Sequence, residues 1–160
     1  MKKSASDIRA MFICNEGGHY SQMMALRELW SCYDSVLVTD NQKADSTRLG
    51  IEVCHARQLT QAGFLRKRIA RVLTLGEAAK IYRRYRPQVM ISTGANLALP
   101  LFFIGKLHGC RLIYIESRAR VYSRSLTGKI ISRIADKMIV QWPEQVALYK
   151  GKAEYHGTLV

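Results

Sequence analysis

The chain has 160 residues, 48% of them hydrophobic and 23% charged, with a formal net charge of +13 at pH 7. That length supports one core of ordinary size and excludes two full domains, while the apolar content excludes a disordered chain. The positive excess favours a polyanionic partner and leaves nucleic acid, anionic lipid headgroups and phosphorylated substrates all open.

In chain order, residues 11–14 form a short apolar run of the kind that fills a buried parallel strand. From Tyr20 onward, Met23, Met24, Leu26, Leu29 and Trp30 recur at roughly helical spacing. NEGGH, at 15–19, is therefore a strand-to-helix turn. Gly17 and Gly18 there allow backbone angles closed to other residues, and the unpaired amides opening the helix favour an anion such as a phosphate or diphosphate. DSVLVTD at 34–40 and IEVCHA at 51–56 read as strands, and residues 64–85 as a long basic helix stopped by Arg86 and Pro87. QVMIST at 88–93 is a strand leading through GAN to an apolar helix over 97–108, with Gly109 as its cap. RLIYIES at 111–117 is a strand, SLTGKIISRIAD at 125–136 a helix, KMIVQW at 137–142 a strand, and PEQVALYK at 143–150 a short helix with proline at its start.

Alternating strands and helices, with strands rich in Ile, Val and Leu, predict an α/β fold: a Rossmann-like three-layer sandwich around a mostly parallel sheet, formed as a single domain over 1–160. Ligands of such sheets bind beyond the carboxyl ends of the strands, near the switch in strand order. The polar strand-end loops 15–19, 92–96 and 116–120 are therefore expected to gather at one edge.

The opening MKKSASDIRAMFIC has too few apolar residues for a secretory leader, and LALPLFFIG, from Leu97, is far short of the roughly 20 residues of a spanning helix. A soluble or peripheral protein is expected. Cys14, Cys32, Cys54 and Cys110 show no metal spacing and read as buried reduced thiols. No Asp-x-Asp pair occurs, so neither a metal nor a tightly bound cofactor is expected.

EGGH lacks the spacing of a dinucleotide fingerprint and the terminal Gly-Lys-Ser/Thr of a P-loop. A tight turn with a helix-capping histidine fits it as well as a ligand site does. Among the histidines, His19 is the candidate for proton transfer because a strand-end loop exposes it, whereas His55, His108 and His156 read as structural or surface residues. Glu116 ends a strand and is followed by Arg118, Arg120, Arg124 and Lys129 around a hydroxyl-rich loop. Its carboxylate can serve as a base or orient a sugar hydroxyl, and the guanidiniums can grip a diphosphate; equally, Glu116 can pair with an arginine. The basic helix at 64–85 does not segregate its charges on one face, and a solvated crossover helix or a contact with anionic lipid both fit it.

YIESRARVYSRSLTGKIISRIADKMIVQWPE, with EGGHYSQMMAL, STGANLALPLFFIGKLHG and the ending YHGTLV, resembles the bacterial capsular and exopolysaccharide proteins of the PssD and CpsF kind. Their eukaryotic relative is the membrane-associated subunit of the N-acetylglucosaminyltransferase that extends dolichol-linked glycan. The resemblance runs from about residue 8 to the end. It implies the amino-terminal, acceptor-side half of a split GT-B glycosyltransferase whose small partner chain holds the UDP-sugar donor. Gly17, Gly18 and His19 match the family's first loop, which also resembles the acceptor-side loop of the peptidoglycan transferase MurG. Glu16 departs from it, adding negative charge where a small residue is usual. Asn96 follows the family's small polar strand-end loop, Glu116, Ser117 and Arg120 match its E-S-x-x-R core, Leu126, Gly128 and Lys129 its S-L-S/T-G-K signature, and Gln141 with Trp142 its V-Q-W strand.

The implied reaction is sugar transfer from a UDP-sugar to a polyprenyl-diphosphate-linked saccharide in capsular or exopolysaccharide biosynthesis. His19 is the first choice of base and Glu116 the second; Gly17, Gly18, Asn96, Ser117, Arg118, Arg120 and Lys129 are the acceptor and phosphate contacts. Tyr155, His156, Gly157 and Leu159 are expected at the partner interface. The implied setting is the cytoplasmic face of the plasma membrane, with peripheral attachment to its anionic surface and no nucleic-acid partner. A non-catalytic membrane scaffold that activates the partner is the alternative.

Overall fold

β1 (Arg9–Cys14) is buried at every position after Arg9, as a strand covered on both faces must be. Its alternation sends Met11 and Ile13 to one face and Ala10, Phe12 and Cys14 to the other. The computed structural model describes residues 7–56 and 66–159, with the side chains of 66–74 outside that description. Its strands are β1, β2 (Asp34–Thr39), β3 (Glu52–His55), β4 (Val89–Ser92), β5 (Arg111–Ile115), β6 (Lys137–Val140) and β7 (Ala153–Tyr155). They form one seven-stranded sheet in the order β3-β2-β1-β4-β5-β6-β7, and every neighbouring pair is parallel. The α/β sandwich expected from the sequence is thus the observed fold.

The helices are α1 (Gly18–Met24), α2 (Ser46–Leu49), α3 (Arg66–Tyr85), α4 (Ala98–Leu107), α5 (Leu126–Ile131) and α6 (Pro143–Leu148). On one face, Ala78 and Ile81 of α3, Leu101 and Phe102 of α4 and Ile131 of α5 close over Met11, Ile13, Met90 and Leu112. On the other, Met23 of α1 and Trp30 close over Phe12, Leu37 and Ile115. Each of these large side chains contributes about 1.5–3 kcal/mol by leaving water, so both layers are needed for a stable sheet. Residues 64 and 65, which begin the expected basic helix, lie outside the described residues.

Two short elements went unread in the sequence. Arg27–Cys32 forms a 3-10 helix in place of a continued α1, and α2 is a single turn capped by the Asp45 carboxylate on the Arg48 amide, 3.0 Å. Both are too short to show a hydrophobic period. The cysteine expectation holds for Cys14 and Cys110, which are buried free thiols, but Cys32 is exposed and Cys54 only half-buried. Burial pushes the Cys14 thiol up to about 12, which removes it from thiolate chemistry at neutral pH.

Asp136 ties α4 to β5. It accepts from Lys106 Nζ at 2.9 Å and from the Leu112 amide at 2.8 Å. Burial alone would raise its pKa, but the Leu112 amide and then Lys106 outweigh burial and hold it below the ordinary value. A depressed carboxylate stabilises the fold at pH above its unfolded pKa of about 3.9, and that contribution disappears as pH falls through the folded value. Asp136→Asn is therefore expected to cost about 1 kcal/mol at pH 7 and nothing at the acid end. Urea unfolding of both proteins at several pH values checks this, and a gap that widens in acid contradicts it.

Candidate functional site

Strand order reverses between β1 and β4, which is where the carboxyl ends of a doubly wound sheet open a crevice. A cavity of about 490 Å3 lies there, lined by Asn15 and His19 after β1, Ala95 and Asn96 after β4, and Ser117, Ala119, Arg120, Ser125, Leu126 and Thr127 after β5, with Tyr114 of β5 below. All three strand-end loops singled out in the sequence contribute to it. The second and third meet directly, Thr127 Oγ1 standing 3.5 Å from Asn96 Oδ1.

His19 is held by a reciprocal clamp. Its Nδ1 lies 2.9 Å from the Thr93 carbonyl, and the Thr93 hydroxyl donates to the His19 carbonyl at 2.8 Å. A carbonyl only accepts, so Nδ1 carries the proton and Nε2 is left as the basic nitrogen. Gly94 makes this clamp possible. It sits at φ +97°, and a Cβ there would stand 2.7 Å from His19 Cε1 and 2.8 Å from Nδ1; only glycine admits both that backbone and that ring.

The first loop is organised from β2. The Asp40 carboxylate accepts from the Asn15 side-chain amide at 2.7 Å and from the Glu16 backbone amide at 2.6 Å. Gly17 then takes φ +87° as the N-cap of α1, the left-handed geometry for which glycine is favoured. Gly17 and Gly18 are exposed, beside the cavity rather than in its lining. The sequence reading passes over Asp40 and takes Thr93 and Gly94 only as members of the loop 92–96, with no role of their own. The available signal was that Thr93 and Gly94 follow β4, which borders the switch point, and that Asp40 follows β2, the strand beside β1.

Glu116 is fully buried and lies under the cavity. Oε1 accepts from the Ser117 amide at 2.8 Å. Oε2 accepts from the Ser125 amide at 3.2 Å, the Ser125 hydroxyl at 3.0 Å, and the Tyr149 phenol. Burial first, and the Glu116 carboxylate second, push the phenols of Tyr149 and Tyr114 far above their ordinary values, so both remain protonated. Ser125 also caps α5, receiving the Gly128 amide at 2.8 Å. A Cβ on Gly128 would collide with Glu116 Oε2 and the Tyr149 hydroxyl, which gives the Ser-Leu-Thr-Gly-Lys stretch a physical meaning: a serine cap, then a helix turn kept bare so that a buried carboxylate fits beneath it.

Glutamines extend this framework. Gln141 is fully buried and donates to Gln22 Oε1 and, at 2.9 Å, to the Glu116 carbonyl. Its own carbonyl receives the Leu159 amide at 3.1 Å. Gln22 also receives the Arg118 amide at 3.2 Å, and Gln145 donates to the Arg120 carbonyl. The loop carrying Ser117 to Arg120 is thus fastened by backbone contacts, which leaves the exposed Arg120 side chain at the cavity. Arg118 and Lys129 are exposed but do not line it.

At the far edge, Tyr155 ends β7 and is 43% exposed, and exposed His156 stands 3.1 Å from Glu154. Leu159 packs partly into this chain's own second core layer. His108 accordingly proves structural, bonded to the Ile104 carbonyl at 2.9 Å and stacked on Tyr82 at 4.3 Å. Among the described residues no group of three His, Cys, Asp or Glu is placed to hold a metal, and no helix is long and apolar enough to cross a membrane.

A family profile described as Oligosaccharide biosynthesis protein Alg14 like matches residues 10–159. The chain is 28% identical to the UDP-N-acetylglucosamine transferase subunit ALG14 of Yarrowia lipolytica, over 97% of this chain and 82% of that protein. It is 27% identical to the corresponding subunit of Eremothecium gossypii, over 94% and 79%. Among solved structures it is similar to Acinetobacter baumannii MurG, with a TM-score of 0.64 at 15% identity, covering 86% of this chain and 42% of that one. UDP-N-acetylglucosamine 2-epimerase from Rickettsia bellii gives a TM-score of 0.71 at 10% identity, covering 96% and 45%. The chain therefore spans less than half the length of these structures, and at such identities the likeness is one of fold.

Proposed function

Starting from the fact that the chain belongs to the Alg14-like family, we propose that it is the acceptor-side subunit of a two-component transferase that moves N-acetylglucosamine from its UDP ester to a polyprenyl-diphosphate-linked saccharide. The observation that carries this reading is the switch-point cavity, where an oriented imidazole, an arginine and several hydroxyls converge. The relatives are named as subunits of a UDP-N-acetylglucosamine transferase, which supports both the donor and a second, donor-holding chain. The narrower capsular or exopolysaccharide setting implied by the bacterial resemblance draws no support from these relatives, which are fungal, and it is left out of the proposal.

In this reading His19 Nε2 takes the proton of the acceptor hydroxyl as its oxygen bonds to the anomeric carbon and the bond from that carbon to the UDP oxygen breaks, UDP leaving on the partner's side, while the Thr93 carbonyl holds the ring through Nδ1. Arg120 and the hydroxyls of Ser117 and Thr127, with Asn96, hold the polar head of the acceptor, and Arg120 balances diphosphate charge. Gly17, Gly18, Arg118 and Lys129 border this site and extend its positive rim. Glu116 positions the loop instead of acting on substrate. Tyr155 ends the edge strand β7 and, with His156, Gly157 and the partly buried Leu159 that follow it, is the proposed partner contact. The protein would work peripherally on an anionic membrane face. The second reading is a scaffold supplying no catalytic group, favoured by one observation: Glu116 is already engaged by four donors, so base chemistry depends on His19 alone.

The test is transfer from radiolabelled UDP-N-acetylglucosamine to a polyprenyl-diphosphate saccharide in detergent micelles, with this chain, its partner, or both. Transfer only in the mixture supports the transferase reading. A stable complex that transfers nothing to an intact acceptor refutes it.

A further inference from the structure

We infer that the surface from Arg118 to Arg133, around the mouth of the cavity, is a docking face for an anionic lipid bilayer, so that the cavity opens onto the membrane. Between Glu116 and Asp136 the chain carries Arg118, Arg120, Arg124, Lys129 and Arg133 and no acidic residue. Elsewhere exposed cations are partly offset, as Lys137 is by Glu154 and Arg84 by Glu52; here Arg120, Lys129 and Arg133 have no carboxylate within ion-pair distance among the described residues. From the same surface project two large apolar side chains, Tyr122 at 80% and Leu126 at 74% exposure. Leu126 and Arg120 both line the cavity, so an apolar tip and a cation stand at the mouth itself, and Tyr122 lies on the loop between them.

This combination fits a bilayer better than a protein. Two isolated apolar tips are too small a patch for a stable protein interface, which needs about 1,000 Å2 or more. They suit shallow insertion at the headgroup boundary, where apolar burial and attraction to anionic lipid add together. The loop bearing Tyr122 is also held from beneath, by Glu116 bonding to Ser117 and Ser125 at its two ends, so the tips are presented on a fixed base. The purpose assigned to this face rests on the lipid-linked acceptor proposed above, but lipid binding is measurable without donor or partner.

Flotation of the full chain with vesicles of phosphatidylcholine alone, or of phosphatidylcholine with phosphatidylglycerol, tests the inference at physiological salt. The wild-type chain is expected to bind the anionic vesicles and not the neutral ones. Tyr122→Ser with Leu126→Ser is expected to lower that binding about tenfold, while Phe103→Ser with Leu107→Ser, removing two exposed apolar residues of α4, leaves it unchanged. Absence of wild-type binding to anionic vesicles, or equal loss in the two double variants, overturns the inference. Transfer by the pair in detergent without vesicle binding overturns this inference alone, and vesicle binding without transfer overturns only the enzymatic reading.

Discussion

His19→Ala is expected to lower sugar transfer by the reconstituted pair about 10²–10⁴-fold, the usual contribution of a positioned general base. The expectation follows from the tautomer. Because the Thr93 carbonyl can only accept, the ring presents Nε2 as a base to the cavity that His19 lines. Glu116, the other carboxylate candidate, is buried beneath its own donors. The substitution removes one hydrogen bond from a half-buried residue and should cost only about 1 kcal/mol of stability. His19→Asn, which keeps a side-chain donor near Thr93 and lacks the basic nitrogen, is expected to be as inactive as alanine. Transfer rates and unfolding midpoints measured together decide the matter: more than a tenth of wild-type activity in either variant, with binding of the partner intact, removes His19 from the chemistry.

For Glu116→Ala the expected loss is in folding rather than in chemistry, about 3–5 kcal/mol. The variant leaves the Tyr149 phenol and the amides of Ser117 and Ser125 buried without the acceptor they share in the wild type. Against a total stability of about 5–15 kcal/mol for a domain, that loss threatens the native state. Glu116→Gln retains the shape and one acceptor oxygen but turns an amide donor toward other donors, and is expected to fall between alanine and wild type. Tyr149→Phe removes one donor and leaves the carboxylate its remaining three, so its cost is expected to be about 1 kcal/mol. Denaturant unfolding of the three variants gives the ranking directly. A Glu116→Ala chain as stable as wild type would mean that the carboxylate is not the organiser of this loop, and would return it to the list of candidate bases.

The two predictions separate a residue that reacts from a residue that positions, a distinction the sequence left open at both places. The sequence offers His19 as first base because a strand-end loop exposes an imidazole suited to proton transfer, and Glu116 as second because its carboxylate ends a strand beside arginines. In three dimensions their surroundings differ. His19 is anchored through one nitrogen beside a cavity, whereas Glu116 has its oxygens turned inward to hold the loop that carries Arg120.

Much of the architecture was determined by the sequence alone. Runs of continuously apolar residues at 10–14, 36–38 and 112–115, alternating with helical periods, read as buried parallel strands, and parallel strands demand helices on both faces. That fixes the carboxyl edge of the sheet as the place where Asn15, Asn96 and Ser117 must end up. Only the tertiary structure decided which side chains at that edge face a cavity. Thr93 and Gly94 set the His19 ring, Asp40 holds the first loop, and Gln22, Gln141 and Gln145 fasten the third; these contacts join residues 24 to 119 positions apart. Burial and hydrogen-bond partners of that kind arise from the packing of distant segments, and no local pattern of residues encodes them.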